Sequence, residues 1–281
     1  MSAATVSHQD SAPAEPILIL TAMPEEAAPF AHRAQEAGEK VPRLERGVVF
    51  SLPTHDAVVA VTGIGAVNAA VRCTQLVEQL QPRLVVSAGS AGGLGRDIRI
   101  GDVVVGQSYR YHMADATAFG YELGQIPGMP PAYPGAEQII DAARTLAGDH
   151  CHAAGELGAA GELGPAGELG AADGLGAAGD GTAAPGSAPT IHCGEIVSGD
   201  SFIAAHLVEQ VRTDFPDAIA TDMETTALAQ ACWLLNVPFV SVRSISDLCQ
   251  ADASDSFQLS LAQVADRSAA TALSLVQYAG I

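Results

Sequence analysis

The sequence predicts a layered α/β domain with a largely parallel central sheet. Short apolar runs typical of buried strands alternate along the chain with longer segments whose apolar residues recur at helical spacing. Hydrophobic residues make up 48% of the 281-residue chain, enough for a large core. Gly-rich or polar residues follow several of the apolar runs. Because ligands bind at the carboxyl ends of strands in such sheets, these residues are candidates for a functional site.

The strands and helices are assigned in chain order. The first strand precedes Pro24, which suits the first position of a helix, with Glu25 and Glu26 in the first turn, where acids favour the helix dipole. The apolar runs predict strands over 16–21, 58–62, 84–87 and 102–106, ending at 196–197, and over 218–221 and 238–242. Apart from the one at Pro24, the helical segments are an Ala/Val-rich stretch from residue 66 to about 80, then 224–235 and 259–278.

Charge and lysine content exclude several functions. The formal net charge is -19, from 32 acidic and 13 basic residues, so we expect neither a nucleic-acid partner nor an anionic membrane surface. Lys40 is the one lysine, and no Gly-rich loop precedes it. Schiff-base chemistry and a Walker A loop both need a lysine in a specific setting, so both are excluded.

Two segments differ in composition from the rest of the chain. Residues 1–15 lack periodicity and are predicted to be a disordered tail. Residues 153–182 repeat a six-residue unit, AAGELG, within a low-complexity Gly/Ala/Glu segment over 152–189. Five such units are too few for a stable β-helix, because each offers at most one Leu against the ordering entropy of its glycines. We therefore predict a single domain over 16–281, interrupted by a disordered loop at 152–189.

The apolar run at 17–20 is too short for a signal-peptide core or a membrane span. The five cysteines are odd in number and show no CxxC spacing, so the sequence supports neither a disulfide framework nor a zinc ribbon. We expect a soluble, cytoplasmic protein.

Two Gly-rich motifs resemble known functional motifs, and a plain backbone turn beside a ligand is the alternative for each. Gly63-Ile64-Gly65 resembles half of a dinucleotide fingerprint, but Asn68 stands at the third glycine position. Residues 88–92, Ala-Gly-Ser-Ala-Gly, resemble a nucleophile elbow, but the glycines that follow disfavour the helix that an elbow needs. A tight turn where the backbone approaches a small ligand fits both motifs better.

Two further motifs place charged residues beside predicted strands. Asp222-Met223-Glu224 opens a helix, and residues 243–247, Arg-Ser-Ile-Ser-Asp, end a buried strand. An acid at a helix start and a structural Arg–Asp pair are the plain alternatives. For either motif alone, the plain and the functional readings are about equal.

Seven motifs in chain order together resemble the 5′-methylthioadenosine/S-adenosylhomocysteine nucleosidases of the nucleoside phosphorylase superfamily. The resemblance runs from about residue 16 to 281, interrupted only by the repeat, and its fold is a three-layer α/β/α sandwich with a mixed, largely parallel sheet. The motifs are AMPEE at 22–26, GIG at 63–65, AGSAGG at 88–93, AFGY at 118–121, SGDSF at 198–202, DME at 222–224 and VRSISD at 242–247.

The resemblance implies an enzyme that hydrolyses the N-glycosidic bond between adenine and a 5′-thio-substituted ribose, with no metal or other cofactor. Asp247 would protonate adenine N7, Glu26 would activate water, and Glu224 would hold the ribose hydroxyls and stabilise the oxocarbenium-like transition state. Phe119 and Pro127 would close the pocket of a partner subunit in a homodimer. The other implied substrate-binding residues are Met23, Ile64, Ser90, Phe202, Ile203, Met223, Arg243 and Ser246.

Some residues depart from the family pattern. Asp222 replaces a Glu and Thr225 a small Ala, while Pro24 and Met113 replace acids. Ser87 stands where related phosphorylases carry a phosphate-binding Arg, which favours water as the nucleophile, although Arg110 is a candidate substitute. A hydrolase or phosphorylase for another purine nucleoside, such as futalosine, and a non-catalytic nucleoside-binding protein remain alternatives.

Overall fold

The computed structural model describes residues 15–147, 189–249 and 253–281, and side chains for all of these except 253–260. Nearly all of the predicted tail and repeat loop lies outside these ranges. The described strands are β1 (Ile17–Thr21), β2 (Val49–Leu52), β3 (Ala57–Val61), β4 (Leu84–Gly93), β5 (Val103–Tyr111), β6 (Tyr133–Pro134), β7 (Ile191–Ser198), β8 (Ala218–Asp222) and β9 (Phe239–Asp247). The described helices are α1 (Pro24–Glu36), α2 (Ala66–Leu80), α3 (Glu137–Ala147), α4 (Ala205–Asp214), α5 (Thr225–Leu235) and α6 (Ala253–Ala279).

The strands form one mixed sheet in the order β2-β3-β1-β4-β8-β7-β5-β6, and β9 pairs with both β4 and β5. Pairs β1/β3, β1/β4, β4/β9, β5/β7 and β7/β8 are parallel. The remaining pairs, β2/β3, β4/β8, β5/β6 and β5/β9, are antiparallel. Strands β4, β8, β7, β5 and β9 therefore pair in a closed circuit, which the alternation of strands and helices did not predict.

Both faces of the sheet are covered, as the sandwich prediction requires. In β1, Ile17 and Ile19 pack into one apolar cluster together with side chains of α1, α3 and α6, whereas Leu18 and Leu20 pack into a second cluster with α2 and α5. Successive strand residues point to opposite faces, so a fully apolar strand is buried on both sides. The α/β fold class and the layered architecture are confirmed.

The sequence analysis assigned no element at β2, β6, α3 or α4. It also placed a turn after Ser87, but β4 continues through the Gly-rich segment to Gly93. The strand persists because β9 pairs with it along almost its whole length, with a bulge between Ala91 and Gly92.

Cys193 is disulfide-bonded, which the cysteine spacing did not predict. None of the helices in the described part of the chain is long and apolar enough to cross a bilayer.

Candidate active site

A cavity of about 220 Å³ opens where β4, β8 and β9 end. It brings together ten of the thirteen residues that the sequence predicts for the site. Its lining comprises Ala22, Met23, Glu26, Ile64, Ser90, Ala91, Gly92, Ser201, Phe202, Ile203, Thr221, Asp222, Met223, Glu224, Ser246, Asp247 and Cys249.

Three of the thirteen predicted site residues do not line this cavity. Arg243 lies behind the cavity wall, and Phe119 and Pro127 lie outside the lining on the exposed surface.

Glu26 is buried at the start of α1 and is held by four hydrogen bonds. Its Oε2 accepts from the backbone N–H groups of Ala22 and Met23 at 2.9 and 3.2 Å. Its Oε1 accepts from the backbone N–H and the hydroxyl of Ser90 at 2.8 and 2.9 Å. These four hydrogen bonds fix the carboxylate between α1 and β4.

Glu224 follows β8 and forms a hydrogen bond with the turn that precedes α2. Its Oε1 accepts a hydrogen bond of 2.8 Å from the backbone N–H of Gly65, a residue with φ of 99°, which favours glycine. In the next residue, the N–H of Ala66 donates to Asp200 Oδ1 at 2.8 Å. Burial, and then the neighbouring Asp222 carboxylate, raise the pKa of Glu224 to about 7.

Asp247 ends β9 with its side chain almost fully buried. Its Oδ1 accepts from the backbone N–H of Cys249 at 2.8 Å, and its Oδ2 accepts from the Ser246 hydroxyl at 2.9 Å. Burial raises the pKa of this carboxyl, although both hydrogen bonds act in the opposite direction. A carboxyl with a raised pKa is suited to donating a proton.

Arg243 is fully buried next to the cavity. Its Nη2 lies 2.7 Å from Asp222 Oδ2 and donates to the Ser87 hydroxyl at 2.9 Å. A Cβ added at Gly89 would lie 2.5 Å from both Arg243 Nη1 and Glu26 Oε1. A larger side chain at this position would therefore displace one or both of these groups.

The cavity is acidic. Among the described residues that line it, four are carboxylic acids and none is Lys, Arg or His. Arg110, the candidate substitute for a phosphate-binding cation, instead lies 3.3 Å from Glu195 and 3.9 Å from Glu122 and is not part of the lining. A multiply charged anion such as phosphate would therefore meet carboxylates without a compensating lining cation.

Sequence reasoning missed Thr221 and Cys249, which line the cavity beside Gly92. Both lie within two residues of an acid that the sequence analysis did identify, and this proximity could have marked them as site residues. It also gave Thr225 no role, although this side chain contacts both Asp222 and Arg243.

Comparison with known proteins places this chain in a defined class. The model of the Phosphorylase superfamily matches residues 16–277. A 5′-methylthioadenosine/S-adenosylhomocysteine nucleosidase of Staphylococcus aureus (strain bovine RF122 / ET3-1) is 36% identical over 228 residues, 80% of this chain and 83% of that protein.

Solved structures agree. A nucleosidase of the same name from Colwellia psychrerythraea 34H, in complex with adenine, has a TM-score of 0.73 and 28% identity, and the match covers 94% of this chain and 95% of that one. The Neisseria meningitidis enzyme in complex with methylthio-immucillin-A has a TM-score of 0.69 and 28% identity, over 94% and 99% of the two chains.

The chain is therefore an enzyme of the phosphorylase superfamily. Within that superfamily it belongs to the 5′-methylthioadenosine/S-adenosylhomocysteine nucleosidases, which are N-glycosyl hydrolases.

Proposed function

We propose that this enzyme hydrolyses the N-glycosidic bond of 5′-methylthioadenosine and S-adenosylhomocysteine, releasing adenine and the 5′-thio-substituted ribose. The observation that carries the proposal is one cavity lined by Glu26, Glu224 and Asp247 without a lining cation among the described residues. Both substrates lack phosphate, so an acidic cavity does not repel them.

The three carboxyl groups have different surroundings and therefore different roles in the proposal. Asp247, with its raised pKa, donates a proton to adenine N7 and makes the base a better leaving group. Glu26, held in place by its four donors, orients a water molecule and accepts its proton as the new C–O bond forms. Glu224 binds the ribose hydroxyls and stabilises the positive charge that develops on the ring.

The remaining residues bind the substrate or orient the reacting groups. Ser90 and Arg243 act beside Glu26 at the water, and Phe202 stacks on the adenine ring while the Ile203 backbone contacts its edge. Met23 and Ile64 pack against the ribose and thioether, and Met223 and Ser246 support Glu224 and Asp247. The hydrogen bond from Ser246 to Asp247 Oδ2 supports this last role.

The active form in this proposal is a homodimer. Phe119 is 84% exposed, and Ile64, Val67 and Val71 form an exposed apolar stripe at the start of α2. Covering this stripe with a second copy would bring Phe119 and Pro127 to the partner's pocket, where they close the 5′-alkylthio end. A cytoplasmic location and a single domain over 16–281 stay predictions from the sequence.

The test is a substrate panel assayed for base release with and without phosphate. We expect adenine from 5′-methylthioadenosine and S-adenosylhomocysteine in phosphate-free buffer, and loss of most activity in Asp247→Asn. Asp266→Asn, on an exposed part of α6, is the matched control and should retain the full rate. Strict phosphate dependence, or release of base from futalosine alone, would overturn the assignment.

A further inference from the structure

We propose that Thr225 is a positioning residue whose hydroxyl holds the Arg243 guanidinium beside Glu26, and that Asp222 and Thr225 act as a matched pair. The inference rests on the proposed function, because its effect is measured on adenine release. Thr225 is fully buried at the start of α5 and does not line the cavity, so it acts through its neighbours rather than on the substrate.

The Thr225 hydroxyl uses its full hydrogen-bonding capacity. It donates its proton to Asp222 Oδ2 and accepts from Arg243 Nε at 3.2 Å and Nη2 at 2.9 Å. The Ser241 hydroxyl lies 3.0 Å away on the adjacent strand β9. The hydroxyl therefore links the carboxylate and the guanidinium of one buried ion pair. Removing it takes one partner from each group, while Arg243 keeps its contacts with Ser241, Ser87 and Asp222.

The guanidinium held in this way faces the reaction centre. Its Nη1 and Glu26 Oε1 would each lie 2.5 Å from a Cβ added at Gly89, so both groups are near this residue of β4. The ionisable groups that act on Arg243 are Asp222, Glu26, Glu224 and Tyr109. A displaced guanidinium would compensate the negative charge of Glu26 and Glu224 less well.

The pair is matched in size. The sequence resemblance implies Glu and Ala at the positions of Asp222 and Thr225 in the nucleosidase pattern. Relative to that pattern, this chain has a carboxylate shorter by one methylene and a side chain larger by a methyl and a hydroxyl. The Thr225 backbone N–H also donates to Asp222 Oδ1 at 3.1 Å, which holds the Asp222 carboxylate next to Thr225. Asp222→Glu alone should overpack this buried space, and Thr225→Ala alone should leave part of it empty. The two changes together should fill it.

The experiment compares Thr225→Val, Thr225→Ser, Asp222→Glu, Thr225→Ala and the double variant Asp222→Glu/Thr225→Ala. For each, kcat, KM and the pH profile of kcat/KM are measured by adenine release, together with the melting temperature. Thr74→Val is the matched control, because that hydroxyl donates only to a carbonyl of its own helix α2. It should leave kcat unchanged.

We expect Thr225→Val to lower kcat by about 10- to 100-fold, the range for loss of a buried charge-assisted contact, with a smaller change in KM. The limb of its pH profile that reports carboxylate ionisation should move to higher pH. Thr225→Ser, which keeps the hydroxyl, should restore both kcat and the position of this limb. The double variant should be more active than either Asp222→Glu or Thr225→Ala.

A purely structural role would lower the melting temperature of Thr225→Val and leave its kcat and pH profile unchanged, which would overturn the inference. Additive losses in the double variant would refute the matched pair. If the unaltered enzyme releases no adenine, the proposed function fails instead, so the two failures are distinguishable.

Discussion

Because Glu224 is buried, ionising its carboxyl lowers the stability of the folded state, and the variant Glu224→Gln removes this pH-dependent effect. The side chain is 6% exposed, and its pKa rises from 4.5 to about 7 on folding. Glutamine keeps a side-chain oxygen that accepts from the Gly65 N–H but carries no charge at any pH. The variant therefore isolates the titration from the hydrogen bond.

The sign follows from proton binding. Between the unfolded and folded pKa values the folded protein binds the additional proton, so stability falls as the pH rises through this window. Integrating from about pH 5 to about pH 8 with these two pKa values gives a loss on the order of 2.5 kcal/mol for the unaltered protein. For a domain of this size that corresponds to roughly 5–10 °C in melting temperature.

The assay is thermal and urea unfolding of the unaltered protein and Glu224→Gln across this pH range. We expect the stability difference to grow in favour of Glu224→Gln as the pH rises. Glu25→Gln, an exposed acid one residue from Glu26, is the control and should follow the unaltered protein. Parallel stability curves for the unaltered protein and Glu224→Gln would refute the raised pKa.

Four further predictions follow from the site and the sequence. Gly89→Ala should lower kcat/KM by about 100-fold or more, because the new Cβ would lie 2.5 Å from Arg243 Nη1; steady-state adenine release measures this. The kcat/KM of the unaltered enzyme should fall as the pH rises above the raised pKa of Asp247, because the general acid must be protonated. Phe119→Ala should raise KM about 10-fold for 5′-methylthioadenosine and less for 5′-deoxyadenosine, which lacks the alkylthio group. Deleting residues 153–182 should leave kcat/KM unchanged, and a collapse of the rate would show that the repeat has a role.

Much of the site was predictable because its residues lie in motifs that follow recognisable strands and that together resemble a known family. Glu26 and Asp247 come at or near the ends of β1 and β9, which both pair in parallel with β4 and so end at the same edge. Glu224 follows β8, which pairs antiparallel with the last residues of β4. Thr225 was not predictable in the same way. Its role depends on Arg243 and Ser241, which approach it from β9 and are 18 and 16 residues away in sequence.

The fold was less predictable where pairing rather than composition decides the structure. The Gly-rich end of β4 has low intrinsic strand preference, and its pairing with β9 keeps it extended. Closure of the circuit likewise depends on antiparallel contacts between β5 and β9 and between β4 and β8, which join strands far apart in the sequence.

The closed circuit also bears on aggregation. A free strand edge is a template for pairing with another chain, and the circuit leaves the strands that carry the catalytic groups without one. The described sheet ends instead at β2, with four residues, and at β6, with two, one of which is Pro134. Proline offers no N–H to an incoming strand. We expect these short, blunted edges to help a chain that is 48% hydrophobic stay dispersed at high concentration.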